Sequence, residues 1–284
     1  MELFDRLPLI LDGATGTELQ KKGYTPGCSM EQWILENPDR LIELHKGYVQ
    51  VGSDVVYAAT FGTNRIALEK HGLGDKVREF NLRLAELTQK AVEGKALVGG
   101  DIAPTGKTLE PYGDMPEDRL FEVYVEQAGA LEEAGVDLFA VETQMSGREA
   151  EIAVSAIKSL SKKPIFLSFT CNAVGRTLYG EKATDLLESA QEWGVSAFGI
   201  NCCGDFALLE RLVCEMSAIS KIPLLVKPNA GIPKFVDGKP LFSLAPAEFG
   251  LRMAELNSLG ASVLGGCCGT GQQHISALVE SLKA

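Results

Sequence analysis

Eight short apolar runs, separated by segments of helical pattern, constrain the fold of this chain more than any other feature. They occupy residues 9–12, 54–60, 96–101, 137–142, 165–170, 197–202, 224–229 and 262–267. Their Val, Ile, Leu and Phe residues are mostly continuous rather than alternating, as in strands covered on both faces. The intervening segments carry the three-four spacing of amphipathic helices, as at Leu41, Leu44 and Tyr48, and at Ile152, Ala156 and Leu160. Further helices are expected at 206–216, 247–259 and 273–282. Several end in the same punctuation before the next strand: Gly52-Ser53-Asp54, Gly135-Val136-Asp137, Gly194-Val195-Ser196 and Gly260-Ala261-Ser262. A glycine there suits the left-handed position that closes a helix.

Repeated strand-helix units imply parallel pairing. Eight of them fit a closed (β/α)₈ TIM barrel, a fold of about 250 residues. An open doubly wound sheet is the rival architecture. It is disfavoured because no linker or composition shift divides the 284 residues, so one domain over 1–284 is expected. The C-terminal strand ends are polar: Asp12, Thr60, Asp101, Glu142, Thr170, Asn201-Cys202, Asn229 and Cys267-Cys268. In a (β/α)₈ barrel that rim carries the chemistry.

Composition excludes some partners. No run approaches the eighteen or so apolar residues of a membrane span, and the first residues lack the pattern of a secretory signal. A net charge of -11, from 27 basic and 38 acidic residues, argues against binding nucleic acid. No nucleic-acid or membrane partner is therefore expected, and the expected location is cytoplasmic. Seven cysteines, an odd number, then read as free or metal-bound thiols rather than a disulfide framework.

Two adjacent pairs stand out, Cys202-Cys203 and Cys267-Cys268. Successive strand residues face opposite sides, so Cys267 and Cys268 turn inward together only where the chain leaves strand geometry. Gly265, Gly266, Gly269 and Gly271 permit such a turn. Cys202 then supplies a third sulfur from the same rim, and three thiolates around Zn²⁺ leave one position open. Cys203 is expected to point away. The plain alternative is that these are small buried hydrophobes, and Cys214 is read that way. Cys28 lies in a Gly-Pro-rich loop, and Cys171 is a weaker rim candidate.

Several motifs carry a resemblance. Asp12-Gly13-Ala14-Thr15-Gly16-Thr17-Glu18-Leu19, Val141-Glu142-Thr143, Gly175-Arg176-Thr177-Leu178, Gly199-Ile200-Asn201-Cys202 and Gly265-Gly266-Cys267-Cys268-Gly269-Thr270 resemble the homocysteine S-methyltransferase family. The segment Gly100-Asp101-Ile102-Ala103-Pro104-Thr105-Gly106 is similar to a loop in the homocysteine-binding module of cobalamin-dependent methionine synthase. The likeness spans nearly the whole chain. It implies a TIM barrel with a catalytic zinc at the C-terminal rim, in which Cys202, Cys267 and Cys268 match the zinc ligands. Homocysteine sulfur enters as the thiolate and leaves methylated, as methionine. Three protein thiolates and Zn²⁺ carry net charge -1, and the substrate thiolate makes it -2, which keeps that sulfur nucleophilic.

By the same resemblance, Asp12 and Glu142 match positions that bind the amino acid. Backbone N–H groups around Gly13, Ala14 and Thr15 are candidates for the substrate carboxylate, and Thr60 and Asn201 are candidates to contact or orient substrate. Helix capping and rim packing are the bland alternatives for these residues. Asn229 is a possible support for the ligands, His274 a weaker candidate beside the last cysteine loop, and Lys227 has no assigned role.

The stretch Ser168-Phe169-Thr170-Cys171-Asn172 and the run Gly271-Gln272-Gln273-His274 depart from the family pattern and bear on the methyl donor. The expected donor is a methylated corrinoid protein acting in trans, carrying methylcobalamin. The alternatives are a small sulfonium or ammonium donor such as S-methylmethionine or a betaine, a non-catalytic module binding homocysteine or a corrinoid protein, and a thiol enzyme that cycles a disulfide.

Overall fold

The computed structural model describes residues 3–4, 6–236 and 239–283, with Lys239 through its backbone alone. All eight apolar runs form strands of one parallel sheet: β1 (Leu9–Ile10), β2 (Val55–Tyr57), β3 (Leu97–Ile102), β4 (Leu138–Gln144), β5 (Ile165–Phe169), β6 (Ala197–Asn201), β7 (Leu224–Lys227) and, after a short antiparallel hairpin of β8 (Lys234–Val236) and β9 (Lys239–Leu241), β10 (Ala261–Leu264). The order is β1-β10-β7-β6-β5-β4-β3-β2. The sheet curls into a nearly closed (β/α)₈ barrel. Where β1 meets β2, aspartates replace part of the ladder: Asp54 N–H donates to Ile10 O at 2.7 Å, Ile10 N–H to Asp54 Oδ2 at 2.8 Å, and Tyr57 N–H to Asp12 Oδ2 at 2.8 Å.

Helices at Phe206–Ser217, Pro246–Ser258 and Gln272–Ser281 match the sequence reading to within a residue or so. The predicted glycine stops hold as well. Gly52, Gly135, Gly194 and Gly260 all have positive φ, between 71° and 118°. The sequence reading did not include the hairpin or the short helices Gly16–Lys21, Met30–Glu36 and Arg65–Glu69.

Two apolar layers fill the structure. One lies between strands and helices; the other fills the barrel with Leu9, Leu11, Val55, Tyr57, Leu138, Ala140, Phe166, Ala197, Leu225 and Val263. The period-two alternation of a strand continues this inner series upward. Ala140 is followed two residues on by Glu142, Leu225 by Lys227 and Gly99 by Asp101, so a dry core changes to a charged layer toward the C-terminal rim. Gly99 serves this layer directly, because a Cβ there would stand 2.8 Å from the Tyr57 ring.

Candidate active site

The Sγ atoms of Cys202, Cys267 and Cys268 lie within 4.8 Å of one another. A tetrahedral zinc with bonds of about 2.3 Å sets its sulfurs roughly 3.8 Å apart, so the donor set and its spacing suit that ion. The two loops achieve this differently. Cys202 adopts a left-handed φ of 55° just after β6 ends. Cys267 and Cys268 lie past the end of β10, in a turn where Thr270 N–H (3.1 Å) and Thr270 Oγ1 (2.7 Å) both donate to Cys267 O. Gly266 belongs to that turn, because a Cβ there would come within 2.3 Å of Thr270 Oγ1.

The segment leaving β7 ties the two loops together. Cys202 N–H donates to Lys227 O at 3.1 Å, Cys267 N–H to Pro228 O at 2.8 Å, and Ala230 N–H to Cys268 O at 2.9 Å. Asn229 donates its backbone N–H to Cys203 O at 2.9 Å and its side-chain amide to Cys202 O at 3.1 Å. As bare thiols the three cysteines compete for protons. The hydrogen bond with Cys267 favours the Cys202 thiolate, but the one with Cys268, burial, and the charges of Cys268 and Glu142 outweigh it and push its pKa up to about 12. A cation is the ordinary means of holding several thiolates so close.

The three cysteines line a cavity of about 400 Å³ whose walls also include Asp12, Thr15, Met30, Phe61, Asp101 and Glu142. A shallower groove of about 760 Å³ between the helices Pro246–Ser258 and Gln272–Ser281 is larger. It holds none of these groups, so the smaller cavity is the site.

Lys227 stands at the centre of the charged wall. Its Nζ is 3.1 Å from Asp12 Oδ1, 2.9 Å from Glu142 Oε1 and 3.9 Å from the centre of the Tyr57 ring. Burial opposes the Lys227 cation, but Asp12 and Glu142 outweigh it and hold its pKa well above the usual lysine value. Asp12 is raised from the usual carboxylate range because burial outweighs the pull of Lys227. Asp101 is raised further, by burial and by the neighbouring Glu142, and its Oδ1 meets no hydrogen-bond donor. Strand parity alone marks both Lys227 and Asp101 as inward-facing, and the sequence reading assigned neither a role.

The expected amino-acid-binding residues divide. Asp12, Gly13, Ala14, Thr15 and Glu142 line the cavity. Ala14 N–H, however, already donates to Thr270 O at 3.0 Å. Asp12 has both carboxylate oxygens engaged within the protein, by Lys227 and by Tyr57 N–H.

Thr60 and Asn201, the candidates to contact or orient substrate, are both fully buried just behind the cavity lining. Their polar atoms turn to other strands, Thr60 to β3 and Asn201 to β4. Thr60 Oγ1 donates to Asp101 O at 2.9 Å and accepts from Asp101 N–H at 3.0 Å. Asn201 brackets Thr143, accepting from its N–H at 3.1 Å and donating to its hydroxyl at 2.6 Å.

Cys203 is buried, with Sγ against Asp205 O at 3.9 Å, and is not one of the three clustered sulfurs. Cys28 and Cys214 are exposed, and Cys171 packs against the outer core. His274 accepts Gly271 N–H at 3.1 Å, places Nε2 3.1 Å from Leu244 O, and meets Phe249 edge-on. It holds the start of the last helix.

Solved structures of the homocysteine methyltransferase MmuM from Escherichia coli share the fold. The oxidized form superposes with a TM-score of 0.84 at 24% identity, covering 98% of this chain and 97% of that one. The metallated form gives 0.81 at 24% identity, covering 99% and 98%. Methionine synthase from Mycobacterium leprae (strain TN) is 28% identical over 301 residues, which take in 99% of this chain and 25% of the relative. The chain thus spans about a quarter of that protein's length. No helix among the described residues is long and apolar enough to cross a membrane. The homocysteine S-methyltransferase family model matches residues 9–282, so the chain belongs to that family.

Proposed function

We propose that this barrel, one domain over 1–284, holds Zn²⁺ on Cys202, Cys267 and Cys268 and methylates L-homocysteine to L-methionine in the cytoplasm. The observation that carries the reading is three clustered sulfurs lining the same cavity as Asp12, Asp101, Glu142 and Lys227. Zinc, when bound, would supply a Lewis acid able to ionise a thiol whose free pKa is about 8.5.

The chain's own residues do the rest. The segment 227–230 fixes the two cysteine loops against each other. Met30 and Phe61 offer apolar wall to the substrate's methylene groups, and the turn from Gly13 to Thr17 lies where a carboxylate meets backbone N–H groups. The thiol gives up its proton, the sulfur forms a bond to the methyl carbon, and the donor leaves with the electron pair of the broken bond.

A methylated corrinoid protein is the donor we favour, with methylcobalamin as its carrier group. Supporting a protein donor, eight of the large exposed hydrophobic side chains sit on three rim loops: Tyr112 after β3, Val174, Leu178 and Tyr179 after β5, and Ile232, Phe235, Val236 and Leu241 after β7. Apolar side chains gathered around a site mouth suit a macromolecular partner better than a small ion. A small sulfonium or ammonium donor, such as S-methylmethionine or a betaine, is the second reading.

A donor panel assayed with zinc-loaded protein and homocysteine tests these readings, together with zinc content and thiol alkylation in the Cys267→Ser/Cys268→Ser variant. Full activity retained without metal overturns the zinc site. Turnover with a small donor alone overturns the corrinoid reading.

A further inference from the structure

A second cavity, of about 250 Å³, lies among the loops that follow β3, β4 and β5 and shares no lining residue with the first. At about 30 Å³ per water it has room for roughly eight, or for an organic molecule of similar size. Glu149 on its wall is only 5% exposed. Its Oε1 accepts three hydrogen bonds, from Thr105 N–H at 2.8 Å, Thr105 Oγ1 at 2.7 Å and Tyr124 OH at 2.8 Å. Its Oε2 accepts none among the described residues.

The charges nearby are committed elsewhere. Lys107 Nζ stands 3.8 Å from Asp114 Oδ2, and Arg148 is paired with Glu117 and Glu151 at 2.5 Å each. The positive end of the helix Gly147–Lys158, roughly half a charge, already serves Glu181, whose two oxygens each accept Gly147 N–H at 3.0 Å. A buried carboxylate with one oxygen open and no cation is costly to hold, and a cationic ligand offsets that cost.

The wall suits an organic cation rather than a metal ion. Among the described residues, three metal-ligating atoms of His, Cys, Asp or Glu gather only at Cys202, Cys267 and Cys268. Leu109, Tyr112 and Tyr179, by contrast, line the same space as Glu149 and offer apolar and aromatic surface to a carbon chain. An open carboxylate oxygen calls for a cation that carries N–H donors.

We infer that this cavity binds a protonated amine on a short apolar chain, with its N–H group donating to Glu149 Oε2 and the chain lying along Leu109 and Tyr179. The site is separate from the methyl-transfer cavity and stands whatever the methyl donor is. Occupied, it joins the rim loops after β3 and β5.

The probe is n-butylammonium, with n-butanol as its neutral counterpart, titrated against the full chain by ligand-observed NMR. About 0.15 M salt screens the long-range pull of the acidic surface. Glu149→Gln is the decisive variant, because its amide oxygen can keep the three donors while its NH₂ replaces Oε2. Butylammonium binding is expected to weaken by about tenfold or more, the loss of one charge-assisted contact, with n-butanol unaffected. Glu188→Gln removes the same charge from an exposed helix position and should change binding by less than about twofold. Tyr179→Ala removes a half-exposed ring without touching Glu149 and should weaken butylammonium by about two- to fivefold. It keeps the inference testable if urea denaturation shows that Glu149→Gln is not folded.

Wild-type protein that binds butylammonium no more tightly than n-butanol overturns the inference. Equal weakening by Glu149→Gln and Glu188→Gln does so too, because binding would then follow net charge alone. Unchanged binding in Tyr179→Ala removes the ring from the site and overturns the pose along Tyr179.

Discussion

Two adjacent cysteine pairs sit on the same rim, yet one contributes a single sulfur to the cluster and the other contributes both. The difference lies in the backbone. Cys202 follows directly on β6, and one residue at φ 55° swings its sulfur toward the cavity while Cys203 returns to the core. Cys267 and Cys268 come after two glycines, in a turn closed by Thr270, where strand alternation no longer applies. Adjacent ligands therefore need a turn, and a pair at a strand end supplies one sulfur.

Replacing a clustered sulfur should have the largest effect. Cys202→Ser and Cys267→Ser are each expected to lower zinc affinity by at least about a hundredfold, since even residues supporting a ligand account for about ten- to a hundredfold. Homocysteine methylation should fall with it. Metal analysis after dialysis checks both, and a variant that keeps a full equivalent of zinc would break the assignment of that loop.

Lys227→Met comes next, acting on the segment that joins the pairs. It leaves Asp12 and Glu142 as buried carboxylates without their cation, which is expected to destabilise the fold by about 3–5 kcal/mol. Adding Asp12→Asn should recover part of this, measured by urea denaturation. No recovery would mean that the ion pair is not the source of the loss.

Much of this was legible in the sequence because it follows from period and punctuation. Continuous apolar runs and glycine helix stops specify a barrel, and polar strand ends specify which rim bears the site. Parity would also have marked Lys227 and Asp101, two residues beyond the inward-facing Leu225 and Gly99. What parity does not reveal is where a polar side chain turns once the strand has ended. Thr60 and Asn201 therefore read as candidates to contact or orient substrate, with no sign that Thr60 bonds β3 at Asp101 and Asn201 bonds β4 at Thr143. The hairpin at 234–241 escaped notice because its strands are three residues each, too short for a pattern, and Pro240 interrupts one of them.

Smaller changes sharpen the contrast between the loops. Gly266→Ala forces a methyl group against Thr270 Oγ1 and Cβ, at 2.3 Å and 2.7 Å. Overpacking of this kind is expected to cost about 1–3 kcal/mol, and the displaced turn should weaken zinc binding together with stability. Asn229→Ala removes one side-chain hydrogen bond to Cys202 O, worth about 1 kcal/mol, and should leave the Cys267-Cys268 turn intact. A thiol-alkylation rate that rises at Cys202 alone, in zinc-loaded protein, would show that the two loops are secured separately.

Cys203→Ala should have the smallest effect, and it tests the comparison most closely. Its sulfur is buried against the core, so removing it leaves a small void expected to cost about 1 kcal/mol. Zinc stoichiometry and homocysteine binding should match wild type, because the backbone links at this residue, including Asn229 N–H to Cys203 O at 2.9 Å, involve no side-chain atom of Cys203. Loss of metal in Cys203→Ala would mean that the core-facing cysteine sets the left-handed turn at Cys202. The two pairs would then differ in geometry while both being needed for the site.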